Sequence, residues 1–377
     1  IFIPKSIKYE LNEYLVTEIK RAFKSKKNIK SIQFGDDSEL KIIGEEAFSG
    51  TSIELISIPK KVTKIMSKSF SNCTKLKSVF FSNQSELTYI GEFAFDRTSI
   101  ENISIPDKVK SIGQNCFGHC GKLREVTFSE DSKLQCIKQN TFQSKVMERF
   151  KVPPHVFIIK TYAFKKCENL KVIEFSGNSK IFRLEKNCFN MDSLESISLP
   201  SRVVELENGW CEYLNKLNSI QIIVQAKKRI DIYANEFIIG KSSPSKSCLN
   251  SIIIAARNIQ RITIPSFIKR ISSYAFYNCS ALESVTFEDN SKLESIDQFA
   301  FSNTRIKSIT IPKNVIEIGG NSFAHSFLEN VTFSKDSKLK CINQNAFCFT
   351  QLKSVNVPPH VRHIGRFAFC GCDKLLS

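Results

Sequence analysis

Ile103-Ser104-Ile105-Pro106-Asp107-Lys108-Val109-Lys110-Ser111-Ile112-Gly113, followed by Phe117, Cys120, Leu123, Val126 and Phe128, is the stretch that decides the architecture of this chain. Apolar and polar residues alternate through Ile103 to Ile105 and again through Leu123-x-x-Val126-x-Phe128. That period of two is the signature of a strand with one buried face. Pro106 directly after the first strand removes an amide donor and ends its ladder. Gly113 suits a turn before a short helical or 3₁₀ segment that delivers Phe117 inward.

The unit recurs from end to end. An aromatic returns in one register at Phe23, Phe48, Phe70, Phe95, Phe117, Phe142, Phe164, Phe189 and Trp210, and again at Phe276, Phe301, Phe323, Phe347 and Phe369. The spacing alternates between about 25 and about 22 residues, inside the leucine-rich-repeat range. Pro4, Pro59, Pro106, Pro153, Pro200, Pro265, Pro312 and Pro358 keep the strand-end position, and Gly44, Gly91, Gly319 and Gly365 share the place of Gly113. Longer units replace Ile-Pro with a Phe-Ser-x-Asp-Ser-Lys-Leu stretch, as at Phe128 to Leu134 and Phe333 to Leu339. Two kinds of turn therefore alternate. The pattern predicts a leucine-rich-repeat solenoid whose coils each add one rung to a parallel β-sheet, with turns and short helical or 3₁₀ segments opposite. Some fifteen coils at about 4.8 Å per rung give a ribbon on the order of 70 Å long.

One solenoid over 1–377 is expected, regular over 1–209 and 259–377 and irregular over 210–258, where Phe237 is followed by a polar insert from Gly240 to Ser247. A second insertion near Glu10 to Thr17 lengthens the first complete coil. Ile1 to Pro4 already form the second half of a repeat, and Cys370 to Ser377 stop where a strand should begin, so the chain is expected to be a fragment of a longer one.

Ile105 to Phe128 read Ile-Pro-x-x-Val-x-x-Ile-Gly-x-x-x-Phe-x-x-Cys-x-x-Leu-x-x-Val-x-Phe, a pattern that resembles the leucine-rich repeats of BspA-like surface antigens. The resemblance covers essentially the whole chain. It implies a right-handed, curved solenoid and, for several members, cell-surface adhesion or binding to host extracellular proteins. It carries over no functional residues, because the pattern residues are structural.

Lys and Arg number 54 against 37 Asp and Glu, a net charge of +17, which favours acidic partners. The longest apolar runs, Ile252 to Ala256 and Ile222 to Val224, fall far short of the roughly 20 residues a membrane-spanning helix needs. Of the 13 cysteines, Cys73, Cys120, Cys167, Cys279 and Cys372 follow the register Phe by three residues. Neighbours in that column are two coils apart, about 10 Å, beyond the roughly 7 Å Cα limit of a disulfide. They read as buried free thiols in a slot that Thr51, Thr98, Thr304 and Thr350 fill in alternate units. Cys116, His119 and Cys120, and His360 and His363 near Cys370 and Cys372, lack the paired Cys-x-x-Cys spacing of a zinc site. Gly240-Lys241-Ser242 lacks the upstream glycine and the strand-to-helix frame of a phosphate loop. No catalytic constellation, metal site or cofactor is expected.

The outward column at the strand centre reads Gln33, Ser57, Phe80, Ser104, Thr127, Lys151, Glu174, Ser198, Gln221, Ile253, Thr263, Thr286, Thr310, Thr332 and Asn356. Phe80, Arg149, Lys151 and Arg261 interrupt this mostly small, polar strip and are the expected contact residues, joined by Lys227, Lys228 and Arg229 beside the irregular segment. Other cations, Lys60, Lys61, Lys64, Lys108, Lys110, Lys269 and Arg270 among them, fall on turns and the back. Five glycosylation sequons begin at Asn72, Asn83, Asn102, Asn278 and Asn330, a number near chance in a chain so rich in Asn, Ser and Thr. The expectation is a non-catalytic recognition scaffold that holds another protein or a glycan, at the cell surface by resemblance. The alternative is an intracellular structural protein whose basic back packs on an acidic assembly such as a microtubule. Nucleic acid ranks last, because exposed positions lack interleaved aromatics.

Overall fold

The computed structural model describes residues 1–226, 228–234, 236–241 and 248–376. They form two compact units, Ile1–Leu194 with Glu205–Tyr213, and Glu195–Val204 with Leu214–Ser377.

Each regular coil has three sides, seen plainly in the coil that begins at Asn102. Asn102–Ile105 is the long strand, with Ile103 and Ile105 buried and Asn102 and Ser104 exposed. Pro106 ends it, and its carbonyl accepts from the Val109 N–H at 3.1 Å to close a turn. Ser111–Ile112 is a second, two-residue strand. The third side is the turn that carries Phe117. In the alternate coils Ser replaces Pro, and the Ser129 carbonyl accepts from the Ser132 N–H at 3.2 Å.

In the first unit the two-residue strands run parallel from Glu18–Ile19 through Ile42–Ile43, Lys64–Ile65 and Tyr89–Ile90 to Ser111–Ile112. The long strands pair in register, with Ser57 opposite Phe80, Ser104 opposite Thr127 and Lys151 opposite Glu174. The insertion near Glu10 is an exposed antiparallel hairpin of Ser6–Tyr9 and Asn12–Leu15.

The second unit repeats the design, its two-residue strands running parallel from Arg270–Ile271 to His363–Ile364. Its irregular part differs in kind. Ile230–Tyr233, Phe237–Lys241 and Leu249–Ala255 run antiparallel, and the last of them pairs Ser251 with Arg270 and Ile252 with Ile271. Ile253 therefore belongs to the row of two-residue strands and not to the outward column, a correction to the sequence reading. An apolar run of this length shows a strand without showing which side of the coil it occupies. Ser242 to Ser247, including Lys246, lie outside the described residues, as does the end of the Gly240-Lys241-Ser242 sequence.

The core is the aromatic column. Neighbouring rings from Phe23 to Phe117 stack with centroids 5.4, 5.4, 5.3 and 5.5 Å apart, and Phe276, Phe301, Phe323 and Phe347 do so at 5.0, 5.3 and 5.2 Å. Burial of each contributes about 2 to 3 kcal/mol.

The expected helical or 3₁₀ segments around these rings are turns, and the described residues contain no helix. Residues two before and two after the register Phe adopt left-handed backbone, as Asn115 (φ 52°) and His119 (φ 54°) do around Phe117, and Asn321 (φ 54°) and His325 (φ 58°) around Phe323. A left-handed residue on either side breaks a right-handed helix. The amides instead bond from coil to coil, Phe48 N–H to the Ser69 carbonyl at 2.8 Å and Phe70 N–H to the Ala94 carbonyl at 2.8 Å. The glycines also serve a different purpose from the one expected. A Cβ at Gly113 would lie 2.3 Å from the Glu92 amide nitrogen and 2.4 Å from the Gly91 carbonyl carbon, so close backbone approach excludes a side chain there.

Candidate functional site

Strand alternation turns the outward column toward solvent, and the register carries it from coil to coil. The column largely satisfies itself. Thr263 and Thr286 hydroxyls lie 2.9 Å apart, and so do those of Thr310 and Thr332. Arg149 and Lys151 share the exposed face of Arg149–Val152, yet each meets a carboxylate on an adjacent coil: Arg149 pairs with Glu174, and Lys151 Nζ lies 2.7 Å from Glu130. Such exposed pairs contribute at most about 1 kcal/mol, and they neutralise the local charge. Arg261 is exposed on Arg261–Ile264 in the second unit. Lys228 pairs with Asp231 at 3.0 Å, and the half-buried Arg229 donates its amide to the Ser201 carbonyl at 2.6 Å. Lys227 lies outside the described residues. Arg149 and Lys151 thus share one strand of the first unit, while Lys228, Arg229 and Arg261 belong to the second.

Phe80 is the exception, because it lines a groove. It is 54 % exposed. Ser78–Phe81 and Asn102–Ile105 belong to different ladders, so the strands stand apart, and the opening between them is lined by Phe80, Asn83, Asn102, Asp107, Lys108 and Thr127. The structure thereby joins Phe80, a residue expected on the binding strip, to Lys108, expected on the back. The second unit repeats this groove where Ser284–Phe287 and Ser308–Ile311 part, lined by Thr286, Glu288, Lys313, Asn330 and Thr332. In the same unit the pairing of Asn330–Phe333 with Ser354–Val355 stops at Val331 opposite Val355. The opening beyond it places Lys335, Lys338, Lys340, His360 and Arg362 around Phe333 and Pro358, with Asp336 the acidic member. Among the back cations, Lys61, Lys269 and Arg270 pair with Glu39, Glu294 and Asp297 at 2.5, 2.6 and 2.5 Å. No carboxylate among the described residues lies within ion-pair distance of Lys108 or Lys110.

The cysteine column follows the sequence reading. Cys73, Cys120, Cys167, Cys279 and Cys372 are buried and free. The intervening threonines touch them, with Thr51 3.3 Å from Cys73, Thr98 3.3 Å from Cys120 and Thr350 3.2 Å from Cys372. Burial pushes the thiols up, to about 11 at Cys120 and about 12 at Cys167. His119, read beside Cys116 and Cys120, turns instead to Asp96 at 2.9 Å.

Three features escaped the sequence reading. The hairpin exposes Ile7, Tyr9, Leu11, Tyr14 and Leu15, and the alternation in Ser6-Ile7-Lys8-Tyr9 was its signal. The turn row of the second unit exposes Phe349 and Phe367, each two residues from a register Phe, with His325 stacked on Phe349 at 4.9 Å. Arg257 is buried among backbone carbonyls.

No curated protein is similar enough in sequence to match. Among solved structures, a leucine-rich repeat protein from Bacteroides ovatus superposes with a TM-score of 0.64 at 24 % identity, over 100 % of this chain and 85 % of that one. A leucine rich cell surface protein from Faecalibacterium prausnitzii superposes with a TM-score of 0.54 at 20 % identity, over 99 % and 79 %. These likenesses show the fold. The profile of the BspA type leucine rich repeat region matches in six copies, over residues 6–124, 135–238 and 247–376. Through those repeats the chain belongs to the BspA type leucine-rich-repeat family.

Proposed function

We propose that this chain is a non-catalytic recognition scaffold for adhesion or protein binding at a cell surface, and that the grooves between parted strands receive the partner. The observation that carries the reading is their recurrence: the same step of the repeat opens in both units, lined by small hydroxyls, a lysine and backbone that no neighbouring strand engages. Unengaged backbone groups and short polar side chains can meet a partner's polar groups, and Phe80 adds an aromatic anchor of the kind enriched at interface centres. The Faecalibacterium prausnitzii cell surface protein of this fold supports the location.

The test is binding of the purified full chain to immobilised decellularised extracellular matrix, beside a Phe80→Ala, Lys108→Glu double variant. Loss of about tenfold or more in the variant is expected, since removal of one central anchor costs roughly 2 kcal/mol. Equal binding by both chains would remove the groove as the site. Binding to polymerised tubulin in place of matrix, undiminished in the double variant, would transfer the function to the basic residues outside the groove, such as Lys110.

A further inference from the structure

The cysteines of the column are kept apart by the threonines of intervening coils, whereas Cys348 and Cys370 have no coil between them. Cys348 and Cys370 each follow a register Phe by one residue, on directly adjacent coils. Those coils are in phase, since the Phe347 and Phe369 rings stack at 5.4 Å with 4° between their planes. The backbone ladder runs through the cysteines themselves: the His325 N–H donates to the Cys348 carbonyl at 2.9 Å, and the Phe349 N–H to the Cys370 carbonyl at 2.8 Å. In-phase rungs lie about 4.8 Å apart, inside the roughly 4.4 to 6.8 Å Cα separation of a disulfide. Cys348 is buried, and Cys370 beside it on the next rung is exposed. Cys372 is committed differently, to Thr350 and to the Phe347 carbonyl, both at 3.2 Å.

We infer that Cys348 and Cys370 form a thiol–disulfide exchange site, which a small-molecule disulfide such as oxidised glutathione converts into a covalent staple between two coils. The exposed Cys370, as thiolate, attacks one sulfur of the small disulfide, forming a mixed disulfide and releasing one glutathione thiolate. Cys348 then gives up its proton and attacks the Cys370 sulfur, expelling the second. Two protein thiols are oxidised, one small disulfide is reduced to two thiols, and the two protein protons pass to the released thiolates. The order follows from exposure: Cys370 can be reached from solvent, and Cys348 can be reached from Cys370.

The experiment treats the folded full chain with oxidised glutathione at mildly alkaline pH and maps its peptides without reduction. A Cys348–Cys370 cross-linked peptide is expected, together with a rise in Tm of several degrees, because the staple constrains the unfolded chain. Cys348→Ser should trap glutathione on Cys370. Cys370→Ser, a change at an exposed position that folding tolerates, should leave Cys348 reduced. A persistent glutathione adduct on the unsubstituted chain, or a link from Cys370 to Cys372, would overturn the assignment, and so would a cross-link at Cys348 that survives in Cys370→Ser.

Discussion

The Thr98 hydroxyl lies 3.3 Å from the Cys120 sulfur, and the same sulfur donates to the Phe95 carbonyl at 3.1 Å. Threonine and cysteine thus alternate as small side chains that fill one slot, and the two converge on one carbonyl of the threonine's coil, as Thr350 and Cys372 do on that of Phe347 at 2.8 and 3.2 Å.

This arrangement predicts both reactivity and pH dependence. Burial holds the Cys120 thiol near 11 and the Cys167 thiol near 12, against an ordinary value of 9.0. In the native protein at pH 8, Cys370 should alkylate rapidly and Cys120 and Cys167 only on unfolding, as peptide mapping after brief iodoacetamide exposure will show. Below pH 9 folded and unfolded chains both keep these protons, and the stabilisation is fully present. Between about 9 and 12 the unfolded chain releases protons that the native chain retains, so stability falls as pH rises, by on the order of 3 to 4 kcal/mol per thiol. Urea midpoints of Cys120→Ala should decline less steeply over this window than those of the unsubstituted chain. Parallel slopes would show that the slot does not protect the thiol.

The coil spacing makes a second prediction at glycine. Gly113→Ala places a methyl 2.3 Å from the Glu92 backbone, whereas nothing lies within 4 Å of the equivalent atom at Gly121. Overpacking against a neighbouring backbone should cost Gly113→Ala about 2 to 3 kcal/mol, and Gly121→Ala should be neutral to within about 0.5 kcal/mol. Thermal denaturation of the two variants measures the difference. Equal Tm values would mean that coils separate freely at Gly113.

The contrast between these glycines marks what the sequence could and could not convey. The Phe column, the Thr and Cys slot and the proline-ended strands were legible, because in a stacked repeat a fixed spacing becomes a fixed contact. The left-handed turn backbone was not, because the positions that adopt it carry side chains as different as Glu46, Phe93, Tyr162 and Asn321. The pairing of Lys151 with Glu130 and of Arg149 with Glu174 was equally hidden, since each partner sits a coil away and only the register reveals it. The grooves depend on ladders that fail to form at particular steps, between Ser78–Phe81 and Asn102–Ile105 and between Ser284–Phe287 and Ser308–Ile311, a feature of backbone geometry that period-two patterning does not encode.

The irregular stretch supplies the last prediction. Arg257 is 4 % exposed. Its Nε donates to the Leu214 carbonyl at 3.1 Å, one Nη to the Ala275 carbonyl at 2.9 Å and the other to the Tyr274 carbonyl at 3.4 Å. Each of these carbonyls also accepts one backbone amide, from Leu217, Ala255 and Tyr277 at 3.4, 3.0 and 3.2 Å, so the guanidinium fills their second acceptor positions where antiparallel strands displace a regular coil. The planar guanidinium reaches several of them at once, which a single ammonium cannot do. Arg257→Met should therefore destabilise the second unit by about 1 to 2 kcal/mol, because it removes charge-assisted donors from carbonyls that each keep one amide. Arg257→Lys should recover less than half of that loss, with a charge left incompletely solvated. Denaturant unfolding followed by hydrogen exchange at the amides of Ala255 and Ala275 provides the readout. Full rescue by lysine would mean that Arg257 acts through its charge alone and not through its several directed donors.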